Sequence, residues 1–134
     1  MIIMKKVTWK GVGEEEIEKL SFEEFMKKIG SRERRTLLRI KTNPKLKKLM
    51  EDVREVKKSN PKKMIKTHVR EAVILPEWVG LSFGVYNGKE FKRVDITLQK
   101  VGRRLGDYSH TVGRVIHSGP GVGATRGSKF VPLK

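Results

Sequence analysis

Residues 81–96 read LSFGVYNGKEFKRVDI, and they give the clearest indication of the fold. Apolar and polar residues alternate over 81–86 and again over 90–96, as they do in strands with one buried face. Asn87-Gly88 separates the two runs, and Asn-Gly is a preferred hairpin turn because both of its residues take positive φ. The stretch therefore predicts a β-hairpin. Because a hairpin alone is rarely stable, we expect 64–69 to supply a third strand.

Helical patterns lie on both sides of the hairpin. Asn43-Pro44 combines a capping side chain with proline at the first helical position, which predicts the start of a helix. The apolar residues that follow recur at helical spacing: Leu46, Leu49, Met50, Val53 and Val56. Shorter helices are predicted over 14–20, 22–29, 31–38 and 99–105. The predicted fold class is therefore α+β: a small three-stranded, mostly antiparallel sheet with flanking helices, a helical N-terminal region and an extended C-terminal tail.

The chain is strongly basic, and the excess is concentrated in one segment. Its 134 residues hold 31 Lys and Arg against 15 Asp and Glu, a formal net charge of +16. Residues 31–70 alone hold 15 basic and 4 acidic side chains, a net charge of +11. Self-repulsion on this scale opposes folding, and a polyanion such as nucleic acid would neutralise it. A membrane surface is the competing partner. No apolar run approaches the roughly 18 residues that span a bilayer, so we expect no membrane partner.

Catalytic and metal-binding chemistry finds little support in the sequence. There is no cysteine, which excludes thiol catalysis and cysteine-based zinc sites. The three histidines, His68, His110 and His117, are not spaced as a zinc pair. Residues 119–124 match a dinucleotide-binding loop only loosely, because they contain proline and no predicted strand precedes them. We therefore expect no enzyme, no cofactor and no metal. Since 1–4 is too short for a signal peptide, we expect a cytoplasmic location.

One domain with three segments is expected from the length and the composition. Residues 1–60 form a helical N-terminal region, 61–106 a small α+β core around the Asn-Gly hairpin, and 107–134 an extended tail. The tail has five glycines, one acidic residue and few large apolar side chains. Burial there cannot offset the entropy of ordering, so the free tail is expected to be disordered and to become ordered on RNA.

Several stretches of the chain resemble the ribosomal protein S-nineteen family. They are THVR at 67–70, ILPEWVGL at 74–81, VYNGKEF at 85–91, LGDYS at 105–109 and GVGATRGSKFVPLK at 121–134. The ending and the helical N-terminal region look like the archaeal and eukaryotic branch, whose eukaryotic member is called S-fifteen. The family usually has Met-Ile-Gly-His before the Leu-Gly pair, where this chain has Lys-Val-Gly-Arg-Arg at 100–104. The usual Glu-Phe after that pair is Asp107-Tyr108 here.

The resemblance implies a structural constituent of the small ribosomal subunit. Members of the family bind small-subunit rRNA in the head, in its 3′ major domain, near the decoding and A-site region. They neighbour the head protein called S-thirteen, and their C-terminal tail points toward the A-site tRNA. The alternative is a free nucleic-acid chaperone or DNA-binding protein, which the charge alone would explain equally well.

The candidate rRNA-binding residues come from two sources. The resemblance implies seven of them: Lys63, Lys66, His68, Arg70, Lys89, Arg103 and Arg104. The basic segments add eight more: Arg32, Arg34, Arg35, Lys62, Arg93, Arg114, Arg126 and Lys129. Five aromatic residues are candidates either for base stacking or for the core: Trp9, Trp78, Tyr86, Tyr108 and Phe130.

Overall fold

The computed structural model describes residues 5–116 and residue 121. Helices and strands follow in the order α1 (Glu14–Ile17), α2 (Phe22–Lys28), α3 (Ser31–Leu38), α4 (Pro44–Ser59), β1 (Ile65–Thr67), β2 (Ser82–Tyr86) and β3 (Phe91–Asp95). Short 3₁₀ turns lie at Ile40–Thr42, Pro76–Trp78, Leu98–Lys100 and Leu105–Tyr108. The α+β class predicted from the sequence is confirmed.

Helix α4 begins where the sequence predicts. The Asn43 side chain accepts a hydrogen bond from the Lys45 N–H at 3.1 Å, and Pro44 occupies the first turn. Three residues of the apolar stripe, Leu46, Leu49 and Val53, are buried in the core. The basic side chains between them lie on the solvent-exposed side of the helix.

The three shorter N-terminal helices are also present, although the first is shorter than predicted. Helix α1 ends at Ile17 rather than at residue 20. Ser21 caps α2 by a reciprocal pair of hydrogen bonds with Glu24, which fixes where α2 begins. Phe25 and Met26 point from α2 into the core.

The sheet has the order β1-β2-β3 and contains one pairing of each kind. Strand β1 runs parallel to β2, and β2 runs antiparallel to β3. The parallel pairing was not predicted, because the sequence indicated a mostly antiparallel sheet. Fourteen residues join Thr67 to Ser82, and a connection of this length allows the chain to cross over and re-enter the sheet in the same direction.

The turn between β2 and β3 differs from the predicted two-residue type. It is a loop over 87–90 in which only Gly88 has positive φ, at +102°. Asn87 instead uses its side chain, whose Oδ1 accepts the N–H groups of Lys89 and Glu90, each at 3.0 Å. The asparagine therefore acts as a hydrogen-bonding turn residue rather than as a left-handed one.

We expect Gly88→Val to lower the free energy of unfolding by about 1–3 kcal/mol, because a β-branched residue is strained at positive φ. A Cβ added at Gly88 would have no heavy atom within 4 Å, so the loss would come from backbone strain alone. Urea denaturation measures it, and Lys89→Val in the same loop is the matched control. Equal stability of the two variants would contradict the strain.

The helix predicted over 99–105 is wrong. Gly102 has φ +79°, which interrupts a helix, and the segment around it runs beside 70–74. Gly102 donates to Ile74 O at 2.9 Å, and Leu105 donates to Ala72 O at 3.0 Å. The buried Leu98, Val101 and Leu105 imitate helical spacing but belong to two separate 3₁₀ turns and the extended link between them.

A single hydrophobic core joins the helices to one face of the sheet. It includes Ile65, Phe83, Val85 and Val94 from the strands, and it continues past the predicted start of the tail. The tail was predicted to begin at residue 107, but the last 3₁₀ turn extends to Tyr108 and the next residue, Ser109, is fully buried. Most of the tail, for which the sequence predicts disorder in the free protein, lies outside the described residues.

Candidate nucleic-acid interface

The second face of the sheet is largely uncovered. Successive side chains of a strand point to opposite faces of the sheet. The strand residues that alternate with the core residues therefore lie on this second face. One row across it is formed by Lys66, Gly84 and Arg93, and the next includes Tyr86 opposite Phe91. Lys66 and Arg93 are exposed, and Tyr86 and Phe91 are half-buried. We call this surface the open sheet face.

Two cations project from the open sheet face. A Cβ at Gly84 would lie 3.3 Å from Met64 Cε and 3.4 Å from Lys66 Cγ, so the glycine leaves room for both side chains over the middle strand. Arg93 Nε lies 3.0 Å from Asp95 Oδ1, and the Ser82 hydroxyl donates to the same oxygen at 2.6 Å. These hydrogen bonds, the one from Ser82 foremost, lower the pKa of the Asp95 carboxyl. Arg93 is therefore partly neutralised, and Lys66 carries the less compensated charge.

Three aromatic rings stand together beside these cations. The His68 ring lies 4.6 Å from that of Tyr86 and 5.1 Å from that of Phe91, measured between centroids. The Tyr86 and Phe91 rings are 5.2 Å apart, and Lys66 Nζ lies 5.5 Å from the Phe91 centroid. We call His68, Tyr86 and Phe91 the aromatic trio. Such a cluster offers π surface to a base and cations to a phosphate.

A basic groove lies between the start of α4 and the end of β1. Its volume is about 580 Å³, and Lys45 and Lys48 of α4 face Lys66 and His68 across it. Asp52 and Glu71 are acidic residues in its lining, but four cations, Lys45, Lys48, Lys66 and Arg70, outnumber them. The groove thus extends the positive surface from the open sheet face onto α4.

Arg70, predicted to bind rRNA, is engaged inside the protein. Its guanidinium donates to Tyr86 O at 2.7 Å, to Gly106 O at 3.0 Å and to Ser109 O. Ser109 in turn donates from its hydroxyl to Val85 O at 3.2 Å. Arg70 therefore ties the segment that leaves the core to the end of β2.

Arg104 and Arg34 also have internal partners. Arg104 donates to Glu71 O at 3.1 Å and to Thr36 Oγ1 at 2.8 Å, and its Nε lies 3.7 Å from Glu33 Oε1. Arg34 donates to the carbonyl oxygens of Met26 and Ile29, where α2 ends. These side chains stabilise junctions between helices and loops, which limits what they can offer to RNA.

The other candidate cations are distributed over the surface. Seven of them are exposed: Arg32, Arg35, Lys62, Lys63, Lys89, Arg103 and Arg114. Arg126 and Lys129 lie outside the described residues. Sequence reasoning did not select Lys45, Lys48 or Phe91. The strand register, which places Phe91 opposite Tyr86, was the signal for the last of these.

The aromatic candidates divide between core and surface. Trp9 and Trp78 are core residues, and Trp9 Nε1 donates to Val101 O at 2.8 Å. Tyr108 is half-buried, and Lys100 Nζ lies 5.1 Å from its ring centroid. Burial raises the pKa of the Tyr108 hydroxyl. Only Tyr86 therefore lies on the open sheet face, and Phe130 lies outside the described residues.

Within residues 5–116, no cluster of three or more acidic or histidine side chains could hold a metal ion. None of the helices in this part of the chain has the length and hydrophobicity needed to span a bilayer.

A small α+β fold whose open sheet face carries cations beside aromatic rings is typical of basic nucleic-acid-binding proteins. The family model for Ribosomal protein S19 matches residues 38–117. A small ribosomal subunit protein uS19 of Methanococcus maripaludis is 44% identical over 130 residues, covering 94% of this chain and 80% of that protein. A protein of the same name from Thermoplasma acidophilum is 46% identical over 130 residues, covering 97% and 82%.

The chain therefore belongs to the ribosomal protein S19 family. This confirms the resemblance drawn from the sequence motifs. Membership of a family of ribosomal proteins also agrees with the prediction that the chain is not an enzyme.

Proposed function

We propose that the protein is a structural constituent of the small ribosomal subunit and binds small-subunit rRNA through its open sheet face and the basic groove. The observation that carries the proposal is the juxtaposition of Lys66, Arg93 and the aromatic trio on a sheet face that the core leaves uncovered. The relatives are named as small ribosomal subunit proteins, which supports the ribosomal assignment.

The location within the subunit is a finer part of the proposal. We place the rRNA contact in the head, in the 3′ major domain near the decoding and A-site region, with S-thirteen as a neighbouring protein. This part rests on the family resemblance. The tail predicted over 107–134, which includes the exposed Arg114, would then be directed toward the A-site tRNA.

The proposal predicts selective binding to one part of the rRNA. The full chain should bind a transcript of the 3′ major domain more tightly than a transcript of the 5′ domain or a DNA duplex of similar length. Filter binding at fixed salt measures the three affinities. Equal affinity for all three would contradict the proposal and would favour a free nucleic-acid chaperone or DNA-binding protein.

The open sheet face should contribute directly to that affinity. We expect the double variant Lys66→Gln/Arg93→Gln to bind the 3′ major domain transcript roughly tenfold more weakly, because two charge-assisted contacts are lost. The control is Lys19→Gln, an exposed lysine in the N-terminal segment, whose 30 residues carry no net charge. Equal affinities of the double variant and the control would place the contact elsewhere.

A further inference from the structure

The aromatic trio leaves part of its ring surface accessible to solvent. His68 is exposed and rests on two half-buried rings, Tyr86 and Phe91, rather than entering the core. Tyr86 directs its hydroxyl to Gly88 O at 3.1 Å, which fixes the ring beside the loop that follows β2. The trio thus forms an aromatic surface in which two half-buried rings support the exposed ring of His68.

Cations surround the trio on the side of the groove. Lys66 lies over the Phe91 ring, and Lys45 and Lys48 face His68 across the groove. A phosphate bound by these lysines would bring its nucleotide next to the rings. The groove volume of about 580 Å³ is large enough to accommodate a nucleotide.

The kind of RNA that fits this arrangement follows from base accessibility. In an A-form duplex the base faces are stacked on one another, and proteins contact mainly phosphates and 2′-hydroxyls. Exposed rings add little to such contacts. An unpaired nucleotide offers a free base face, which aromatic side chains bind by stacking.

We propose that the trio and the basic groove form a site for one unpaired nucleotide, with its base stacked on His68 and its phosphates near Lys45, Lys48 and Lys66. This inference rests on the proposed function and names the class of RNA element that the open sheet face binds. The cations provide affinity for the backbone, and the trio selects for an unstacked base.

The test uses the full chain and an eight-nucleotide oligouridylate that carries one 2-aminopurine, which stays fluorescent because uridines stack on it only weakly. A blunt RNA duplex of the same length is the comparison. Binding to the single strand should quench 2-aminopurine fluorescence, because stacking on the trio changes the environment of the base. The single strand should also compete better than the duplex. Tighter binding of the duplex, or binding without quenching, would overturn the proposal.

Substitutions at His68 separate stacking from charge. We expect His68→Ala to bind the oligouridylate roughly fivefold to tenfold more weakly and to lose the quenching. His68→Phe should restore both, because it retains an aromatic ring. Lys66→Gln should weaken binding but leave the quenching of the bound state. An unchanged affinity of His68→Ala would overturn the inference.

A parallel measurement with the 3′ major domain transcript shows whether a negative result refutes the unpaired-nucleotide site alone or the proposed function as well. If that transcript binds tightly while the oligouridylate shows no quenching, the unpaired-nucleotide site is refuted and the proposed function stands. If neither RNA binds, the proposed function itself fails, and the trio would then be better explained as a contact for another protein.

Discussion

Replacing Arg70 by methionine is expected to lower the free energy of unfolding by about 2–4 kcal/mol. The guanidinium satisfies three carbonyl oxygens from two distant parts of the chain: those of Tyr86, Gly106 and Ser109. Methionine keeps most of the apolar stem but donates no hydrogen bond, so these oxygens would lose a charged donor. Since one of them follows the last 3₁₀ turn, its segment should also detach more readily from β2.

Urea denaturation followed by tryptophan fluorescence measures this loss, because Trp9 and Trp78 are both buried in the core. The matched control is Arg103→Met, the same change at an exposed arginine that lies close in sequence to Gly106. The control should stay within about 0.5 kcal/mol of the parent chain. If the two variants are equally stable, Arg70 is not a structural residue and its assignment to rRNA binding regains support.

Local signals allowed the regular elements to be predicted. The cap at Asn43, the proline after it and the apolar stripe of α4 all act within one helix, and the structure confirms the helix. The alternation over 81–96 likewise predicted β2 and β3. The parallel pairing of β1 could not be predicted in the same way, because it depends on how a fourteen-residue connection crosses the fold.

Two predictions from the sequence were wrong because an asparagine or a glycine can take more than one structural role. Asn-Gly predicts a two-residue turn, but Asn87 bonds to the backbone through its side chain and a four-residue loop results. The spacing of Leu98, Val101 and Leu105 predicts a helix, but Gly102 takes positive φ and the chain pairs instead with residues 70–74. In the first case local side-chain hydrogen bonds outweigh the sequence pattern, and in the second tertiary hydrogen bonds do so.

The candidate site was predictable in its charge but not in its composition. An arginine that will bind RNA and one that will bind internal carbonyl groups look identical in a basic sequence. Arg70 and Arg104 belong to the second kind because their partners come from distant segments of the chain. Lys45 and Lys48 became candidates only when the fold placed α4 across the groove from Lys66.

The affinity for small-subunit rRNA is expected to fall on the order of 10²-fold when monovalent salt rises from about 50 to 200 mM. Each neutralised phosphate releases condensed cations, which contributes roughly −0.7 to −0.9 to the slope of log affinity against log salt. The exposed lysines of the segment with net charge +11 offer several such contacts, so the slope should be about −4 or steeper. Filter binding over a salt series gives this slope.

The slope also tests whether the groove, rather than total charge, makes the contacts. The triple variant Lys45→Gln/Lys48→Gln/Lys66→Gln should reduce the magnitude of the slope by about 2 to 3 if each lysine neutralises one phosphate. A triple variant at Lys6, Lys19 and Lys27 removes the same charge from the exposed N-terminal segment. Its slope should stay near that of the parent chain if these lysines contact no phosphate, because the slope reports the number of phosphates that the protein neutralises. An equal reduction in both variants would mean that the protein binds through its overall charge, and a flat response of the parent chain would rule out electrostatic binding altogether.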